Sequence, residues 1–418
     1  MPALFAPPSM PTTVLTTLLP TTSVLADSAL ALLLLLALAC APPVAVFALQ
    51  MFAARAGHRR RPAPPGPRPT LAVLVPAHDE ADGIGATLHS IRHQLGPADR
   101  LLVVADNCRD GTAAVARAAG AQTVERHDPR RGKGYALDFG VRHLAAAPPA
   151  VLVVIDADCL AHVGALDRLA RACDACQRPV QGLYLMRARA DGADMTRVAE
   201  LAWLIKNWLR PLGSSRLGMP CQLMGSGMAF PWRLIAPAPL ASAHLVEDLE
   251  LGLHCAAMGR APVFCPEALV SSVFPENPAG RTSQRARWEH GHLSLIGGRG
   301  LALLWTGLLR RDLHLLGMAL DLCVPPLSLL LLMTAVAAAC GIAGALSTGR
   351  ALPWLLALAP LTVLGGALLA AWRQAGRALL PARRLAHVLF YVLAKLPLYA
   401  AFVVRRQMVW VASARDKR

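Results

Sequence analysis

The sequence predicts an α/β domain with a mostly parallel sheet, joined to transmembrane helices. Three observations predict it. Strand-like and helix-like segments alternate between residues 70 and 280. The strand-like segments are continuous apolar runs, as befits strands covered on both faces. The apolar excess of the chain lies outside that region.

Of the 418 residues, 55% are hydrophobic and 5% aromatic, and the mean hydropathy is +0.44. That is too apolar for an ordinary soluble enzyme. The excess sits near residues 29–52 and again after residue 313. The net charge of +16 admits two partners, nucleic acid or a membrane surface. A nucleic-acid binder interleaves aromatics with its basic patches. Here the basic residues stand beside apolar spans, at His58–Arg61, Arg310-Arg311, Arg383-Arg384 and Arg405-Arg406. That is the pattern of cytoplasmic membrane flanks, so membrane lipid is the expected partner and nucleic acid is not.

The ten cysteines are scattered and suggest no disulfide scaffold. Cys173 and Cys176 form one CxxC without a second pair at zinc spacing, so they read as buried or half-buried thiols. Cys40, Cys323 and Cys340 read as small core residues of apolar spans.

In chain order, residues 1–28 are rich in Pro, Thr and Ser and read as disordered. Residues 29–53 form a transmembrane helix: Ser28–Phe52 offers roughly 24 mostly apolar residues, enough for a ~30 Å hydrocarbon core. Pro42-Pro43 is expected to kink it. Residues 54–69 are a basic, proline-rich linker, placed in the cytoplasm by its charge, with the N-terminus outside.

Residues 70–283 form the globular domain. Leu71–Val75, Arg100–Ala105, Ala121–Val124 and Val151–Ile155 are its legible strands. Glu80–Gln94, Gly111–Ala119, Gly134–Ala146 and Leu249–Met258 follow helical spacing. Residues 284–312 read as interfacial helices and 313–404 as a C-terminal transmembrane region. Within the latter, Leu313–Leu346 and Ala351–Trp372 are long enough to span, whereas Lys395 and Pro397 interrupt Leu385–Val404. A third span would leave the basic tail 405–418 outside, against its charge, so the last segment reads as interfacial or re-entrant.

Acidic residues stand where these strands end, the place where open α/β sheets bind ligands. Asp156-Ala157-Asp158 follows Val-Leu-Val-Val-Ile, and two carboxylates there can share Mg²⁺ or Mn²⁺ with substrate phosphates. Asp79-Glu80 and Asp106 also follow strands, where carboxylates suit a base or a ribose and equally suit a turn or helix cap. Lys133 sits between Gly132 and Gly134 before a helix, in a loop suited to a phosphate or simply basic. Glu247-Asp248 offers a general base, or only acids favourable to a helix dipole. Gln284–Trp288 brings two guanidinium groups and an indole, fit for a diphosphate and a sugar, or for lipid headgroups. His290 and His292 lack a third ligand and read as core or surface residues.

Together these residues resemble the family 2 inverting glycosyltransferases of GT-A fold, in particular the membrane-anchored cellulose synthase, poly-N-acetylglucosamine synthase and hyaluronan synthase group. The resemblance covers about residues 70–295. It rests on an ordered set: Pro76-Ala77-His78-Asp79-Glu80, Asp106 with Asp110-Gly111-Thr112, Gly132-Lys133-Gly134, Asp156-Ala157-Asp158, Gly225-Ser226-Gly227, Glu247-Asp248 and the QxxRW sequence Gln284–Trp288. Two positions depart from the pattern: Asp79 stands where many relatives have Asn, and Val246 where many have Thr.

The resemblance implies a GT-A catalytic domain over 70–283. Asp79, Glu80, Asp106, Lys133 and Asp156 would bind a nucleotide-diphosphate sugar, most simply a UDP-sugar. Asp156 and Asp158 would hold Mg²⁺ or Mn²⁺. Asp248 would be the catalytic base. Gly225, Ser226, Gly227, Glu247, Gln284, Arg287 and Trp288 would address the diphosphate and the acceptor. The implied product is a β-glycoside on a polysaccharide or lipid-linked acceptor, made at the inner membrane by a multi-pass protein with a cytoplasmic active site. A homo-oligomer or export partner would supply any helices a polymer channel needs. The rivals are a lipid-headgroup transferase without processive synthesis and, from another class, a transporter built around Asp321.

Overall fold

The computed structural model describes residues 22–55, 62, 64–189, 193–275, 277–349 and 351–404. Disorder was expected over residues 1–28: residues 22–28 instead belong to a helix that runs to Ala54, while residues 1–21, the basic run 56–61 and the basic tail 405–418 lie outside the described residues.

In chain order the elements are α1 (Thr22–Ala54), β1 (Leu71–Ala77), α2 (Ile84–Arg92), β2 (Arg100–Asp106), α3 (Thr112–Ala118), β3 (Gln122–Arg126), α4 (Lys133–Leu144) and β4 (Val151–Val154). Then come β5 (Leu160–Ala161), α5 (Ala165–Cys176), β6 (Val180–Arg187), α6 (Asp194–Leu204), α7 (Arg210–Arg216), β7 (Met228–Pro231), α8 (Trp232–Ile235), α9 (Glu247–Ala257) and β8 (Val263–Val273). The C-terminal part carries α10 (Pro278–Leu295), α11 (Leu301–Arg310), α12 (Leu313–Leu322), α13 (Leu327–Thr348), α14 (Leu352–Ala371), α15 (Ala386–Leu393) and α16 (Leu396–Val404).

The eight strands form one sheet in the order β3-β2-β1-β4-β7-β6-β8-β5. β3, β2, β1 and β4 are mutually parallel, and so are β6 and β8. β7 runs antiparallel to β4 and β6, and β5 antiparallel to β8. The continuous apolar strands have the expected consequence. Val73, Val75, Val103 and Val153 join one core cluster, and their neighbours Leu74, Leu102, Val104 and Leu152 join the other. Each such fully buried side chain contributes about 1.5–3 kcal/mol. This doubly covered sheet directs the carboxyl ends of β1, β2 and β4 to one edge.

The chain divides into two compact units. Residues 1–42 with 331–362 form one, whose described residues are nearly all apolar helix. Residues 43–330 with 363–418 form the other, which holds the sheet and every cavity described below.

Among the described residues, four helical segments are long and apolar enough to cross a membrane: Leu35–Ala54, Leu327–Leu346, Leu352–Gly376 and Ala382–Val404. α1 runs on through Pro42-Pro43 as one helix. The expected span Leu313–Leu346 is corrected: α12 ends at Leu322 and α13 begins at Leu327. Pro325-Pro326 lies between them, removing two amide donors and disfavouring helix at the preceding residue. The last segment breaks at Ala394-Lys395, as its charge suggested. Cys40 is buried and Cys323 half-buried, but Cys340 is exposed on α13 and is not a core residue.

Candidate active site

Three strand ends, three helices and one loop meet at a cavity of about 190 Å³. β1 delivers Glu80, β2 delivers Asp106, and β4 delivers Asp156 and Asp158. The first turn of α4 brings Lys133, that of α9 brings Glu247 and Asp248, and α10 brings Gln284, Arg287 and Trp288. Gly225 completes the wall from the loop before β7.

Three sequence candidates lie off that wall. Asp79 takes a left-handed backbone (φ +52°), and its Oδ1 accepts a bond from the Arg109 amide at 2.7 Å. Ser226 is fully buried, and its Oγ accepts the Asp156 amide at 3.0 Å. Gly227 donates its amide to the Val154 carbonyl at 3.0 Å. The last two hold the end of β4 from behind. Gly134 packs against the Leu240 and Ser242 carbonyls, so close helix packing accounts for it without a phosphate.

Lys133 is the electrostatic centre. Its Nζ lies 2.5 Å from Asp156 Oδ1 and 3.7 Å from Glu247 Oε1, and it donates to the Gly225 carbonyl at 2.7 Å. Burial works against its ammonium, but Asp156 and Glu247 outweigh burial and hold it above the usual lysine range. Burial pushes Glu247 up to about 7 against the pull of Lys133, with Asp248 adding to the push. Burial also raises Asp248, again opposed by Lys133. Asp158 is raised by burial and then by neighbouring Asp156.

Asp106 is fixed from the side: its Oδ1 accepts Arg126 Nη1 at 2.6 Å and Asn107 Nδ2 at 2.9 Å. Arg126 in turn lies over the Tyr135 ring, 5.3 Å from its centroid. Trp288 packs against Trp203 at 4.9 Å between centroids, and Tyr184 meets Trp203 edge-on at 5.5 Å. Arg287 Nε is buried and has no hydrogen-bond partner among the described residues, the kind of orphan donor that an anion satisfies.

Ligand atoms of Asp156, Asp158 and Cys159 lie within 4.8 Å of one another. Two carboxylates that repel each other in a half-buried site fit a hard divalent cation, which prefers oxygen and shares its shell with phosphate. Cys159 does not fit that role. Its thiol donates to Asp158 Oδ1 at 3.4 Å, and burial holds it well above the ordinary cysteine range.

Sequence reasoning missed Tyr184, Trp203, Lys206 and Asn207 on the cavity wall. One signal was available. The chain has only four lysines, and three of them, Lys133, Lys206 and Lys395, line this cavity or its neighbour. Lys206 rides on a π-helical turn, Ile205–Leu209, a distortion frequent at functional sites.

Other candidates resolve as structure. His290 is buried and His292 half-buried, their rings meeting the Leu398 and Leu322 carbonyls at 3.0 and 2.9 Å. Cys173 is buried and Cys176 half-buried on α5. Asp321 pairs with Arg210 at 2.7 Å and accepts Gln50 Nε2 at 2.6 Å. A structural ion pair therefore accounts for the acid on which a transporter would depend.

A doubly wound sheet with a polar cavity beyond its parallel strand ends is the architecture of a GT-A glycosyltransferase. The family can be stated: the model for glycosyltransferase-like family 2 matches residues 67–291, more than half of the chain, and the chain belongs to that family. Over 122 residues it is 38% identical to an uncharacterised glycosyltransferase of Mycobacterium bovis, covering 27% of this chain and 51% of the relative. Over 96 residues it is 38% identical to a glucosyl-3-phosphoglycerate synthase of Mycolicibacterium paratuberculosis, covering 21% of this chain and 28% of the relative. The chain thus matches about half the length of the first relative and less of the second. Among solved structures, a mannosyltransferase from Pyrobaculum calidifontis, in complex with GDP-Man and Mn²⁺, superposes with a TM-score of 0.56. It covers 90% of this chain and 100% of its own at 19% identity, a likeness of fold.

Proposed function

We propose that this protein is a membrane-bound inverting glycosyltransferase. It moves a sugar from a nucleotide-diphosphate sugar, most simply a UDP-sugar, to a hydroxyl on a polysaccharide or lipid-linked acceptor, forming a β-glycosidic bond. The observation that carries the reading is the gathering of Asp106, Lys133, Asp156, Asp158, Asp248 and Arg287 around one cavity at the carboxyl ends of parallel strands. Phosphate-bearing ligands bind at such edges.

The roles follow from position and charge. Asp106, held by Arg126 and Asn107, addresses the nucleoside, with Asp79 and Glu80 on the neighbouring loop. Asp156 and Asp158 hold Mg²⁺ or Mn²⁺, which when bound neutralises charge on the donor diphosphate. Lys133 and Arg287 hold the leaving diphosphate by charge-assisted hydrogen bonds. Asp248 takes the acceptor proton, and its raised affinity for protons suits that task. Gln284 and Trp288 position the acceptor end, and Glu247 lies beside the base. The acceptor oxygen attacks from the face opposite the diphosphate, so one displacement inverts the anomeric centre.

In this reading the four apolar segments anchor the enzyme in the membrane, and the basic sequence of the linker supports a cytoplasmic active site. α11 supports an interfacial arrangement, with Leu301, Trp305, Leu308 and Leu309 exposed along it. The test is Asp248→Asn in membranes carrying the protein, with nucleotide release and product mass as readouts. Transfer is expected to vanish while nucleotide binding survives. Parallel loss of binding and turnover would remove Asp248 from the role of base.

A further inference from the structure

The active-site cavity has a neighbour. A second cavity of about 130 Å³ shares Trp203, Lys206, Gln284 and Trp288 with it as a common wall. Its far side is built from three of the four segments apolar enough to span a membrane: Phe47 in the first, Leu327 in the second, and Tyr391 with Lys395 in the last.

The polar lining of this cavity is one-sided. Lys206, Arg210, Arg281, Arg285 and Lys395 face a single carboxylate, Glu289. Two of these cations are neutralised in place, Arg210 by Asp321 at 2.7 Å and Lys395 by Glu289 at 2.5 Å. Arg281 Nη1 reaches the Pro275 carbonyl at 3.2 Å. Arg285 lies over the Tyr391 ring, 4.9 Å from its centroid, and Lys206 lies 5.7 Å from that of Trp203. Neither Arg285 nor Lys206 has a carboxylate within ion-pair distance among the described residues, and Asp248 and Glu289 act on Lys206 only from farther off. Unmatched cations in a half-apolar cavity call for an anion, and the apolar wall calls for a hydrocarbon chain attached to it. A neutral glycan would satisfy neither.

We propose that the second cavity seats the acceptor of the transfer reaction, a lipid whose phosphate lies among Lys206, Arg281 and Arg285 while its hydroxyl-bearing end passes the Trp203–Trp288 wall to reach Asp248. This rests on the reading of the first cavity as the transfer site. In the step itself, the acceptor hydroxyl oxygen bonds to the anomeric carbon and its proton passes to Asp248. The bond from that carbon to the donor diphosphate breaks, and the nucleoside diphosphate leaves with the electron pair. The lipid phosphate is unchanged and serves only to hold the acceptor.

The test uses the full chain in non-ionic detergent. Tryptophan fluorescence, reported by Trp203 and Trp288, follows titration with farnesyl phosphate, farnesol and inorganic phosphate. Farnesyl phosphate is expected to bind about tenfold or more tightly than farnesol, the ratio that one or two charge-assisted hydrogen bonds supply. Inorganic phosphate is expected to bind at least as weakly as farnesol. Arg285→Gln should erase most of the preference for farnesyl phosphate and leave farnesol binding as it was, and Arg285→Lys should restore much of it. Nucleotide binding is measured on the same samples as a check of folding. Equal binding of farnesyl phosphate and farnesol, or of farnesyl phosphate and inorganic phosphate, would overturn the proposal even in a chain that binds nucleotide sugars. A wild-type chain that binds no nucleotide sugar would instead overturn the transfer reading, and the acceptor assignment with it. Should Arg285→Gln fail to bind nucleotide, the wild-type lipid comparison and Arg285→Lys decide.

Discussion

Gly225 offers the sharpest test of the active-site geometry. Its φ is +88°, and a Cβ built there would lie 3.3 Å from Asp248 Oδ2 and 3.4 Å from Lys133 Nζ. Gly225→Ala therefore does two separable things. It places an L-residue in left-handed backbone, which costs roughly 1–2 kcal/mol and lowers Tm by roughly 2–8 °C. It also makes the Asp248 carboxylate and the Lys133 ammonium each give way to the new Cβ by a few tenths of an ångström. Because a 1 Å misplacement costs about 10²-fold in rate, a shift of a few tenths of an ångström should lower turnover about three- to tenfold. The control is Gly259→Ala: φ there is +72°, but nothing lies within 4 Å of the added Cβ. That variant should show the same loss of Tm and keep its turnover. The assay pairs thermal unfolding in detergent with nucleotide release from the donor sugar. Full turnover in Gly225→Ala, or equal loss in both variants, would refute the claim that the close approach of Asp248 and Lys133 to Gly225 matters.

Three further outcomes are expected. Asp158→Ala should abolish the part of nucleotide binding that depends on Mn²⁺, read by calorimetry with and without the metal; an unchanged metal dependence would count against the carboxylate pair. Arg210→Met should destabilise the protein by about 3 kcal/mol by stranding Asp321, and Arg210→Met with Asp321→Leu should recover part of that loss; a double variant less stable than the single would contradict the pairing. His292 is held down to about 4, first by burial and then by Lys206. Its neutral form is the folded one, so its contribution is present above the ordinary imidazole range and is lost as pH falls through about 4. The Tm of wild type should fall faster in acid than that of His292→Gln, and parallel curves would exclude the effect.

Much of this was legible in the sequence, for physical reasons that differ along the chain. Leu71–Val75 and Val151–Ile155 announce themselves because strands covered on both faces need unbroken apolar runs. The acids at their ends stand out because open α/β sheets bind ligands beyond the carboxyl ends of their strands. The second half of the sheet was not legible. β6 and β8 mix small, polar and apolar residues and are joined across a register shift at Gly182-Leu183, so neither carries a clean period. Lys206 was invisible to periodicity because a π-turn, which no regular pattern encodes, aims it at the cavity. Ser226 and Gly227 were found by motif but lie behind the wall, since a motif records which residues occur together and not which atom meets the ligand. Pro325-Pro326 was in plain view within an apolar run, and hydropathy alone passed over it.

The seam between the first apolar helix and the catalytic body is also a constraint on handling the protein. Gln50 donates to Ser214 Oγ at 2.9 Å and to Asp321. Arg216 and Gln374 satisfy the terminal carbonyls at Ala53 and Ala54. A side chain at Gly213 would strike the Gln50 backbone at 2.0 Å, so the two helices touch main chain to main chain. Cutting the chain after Arg55 to obtain a water-soluble fragment would uncover a groove shaped for that helix and remove the carbonyl acceptors that Arg216 and Gln374 use. The anchor is thereby a structural member of the enzyme and travels with it.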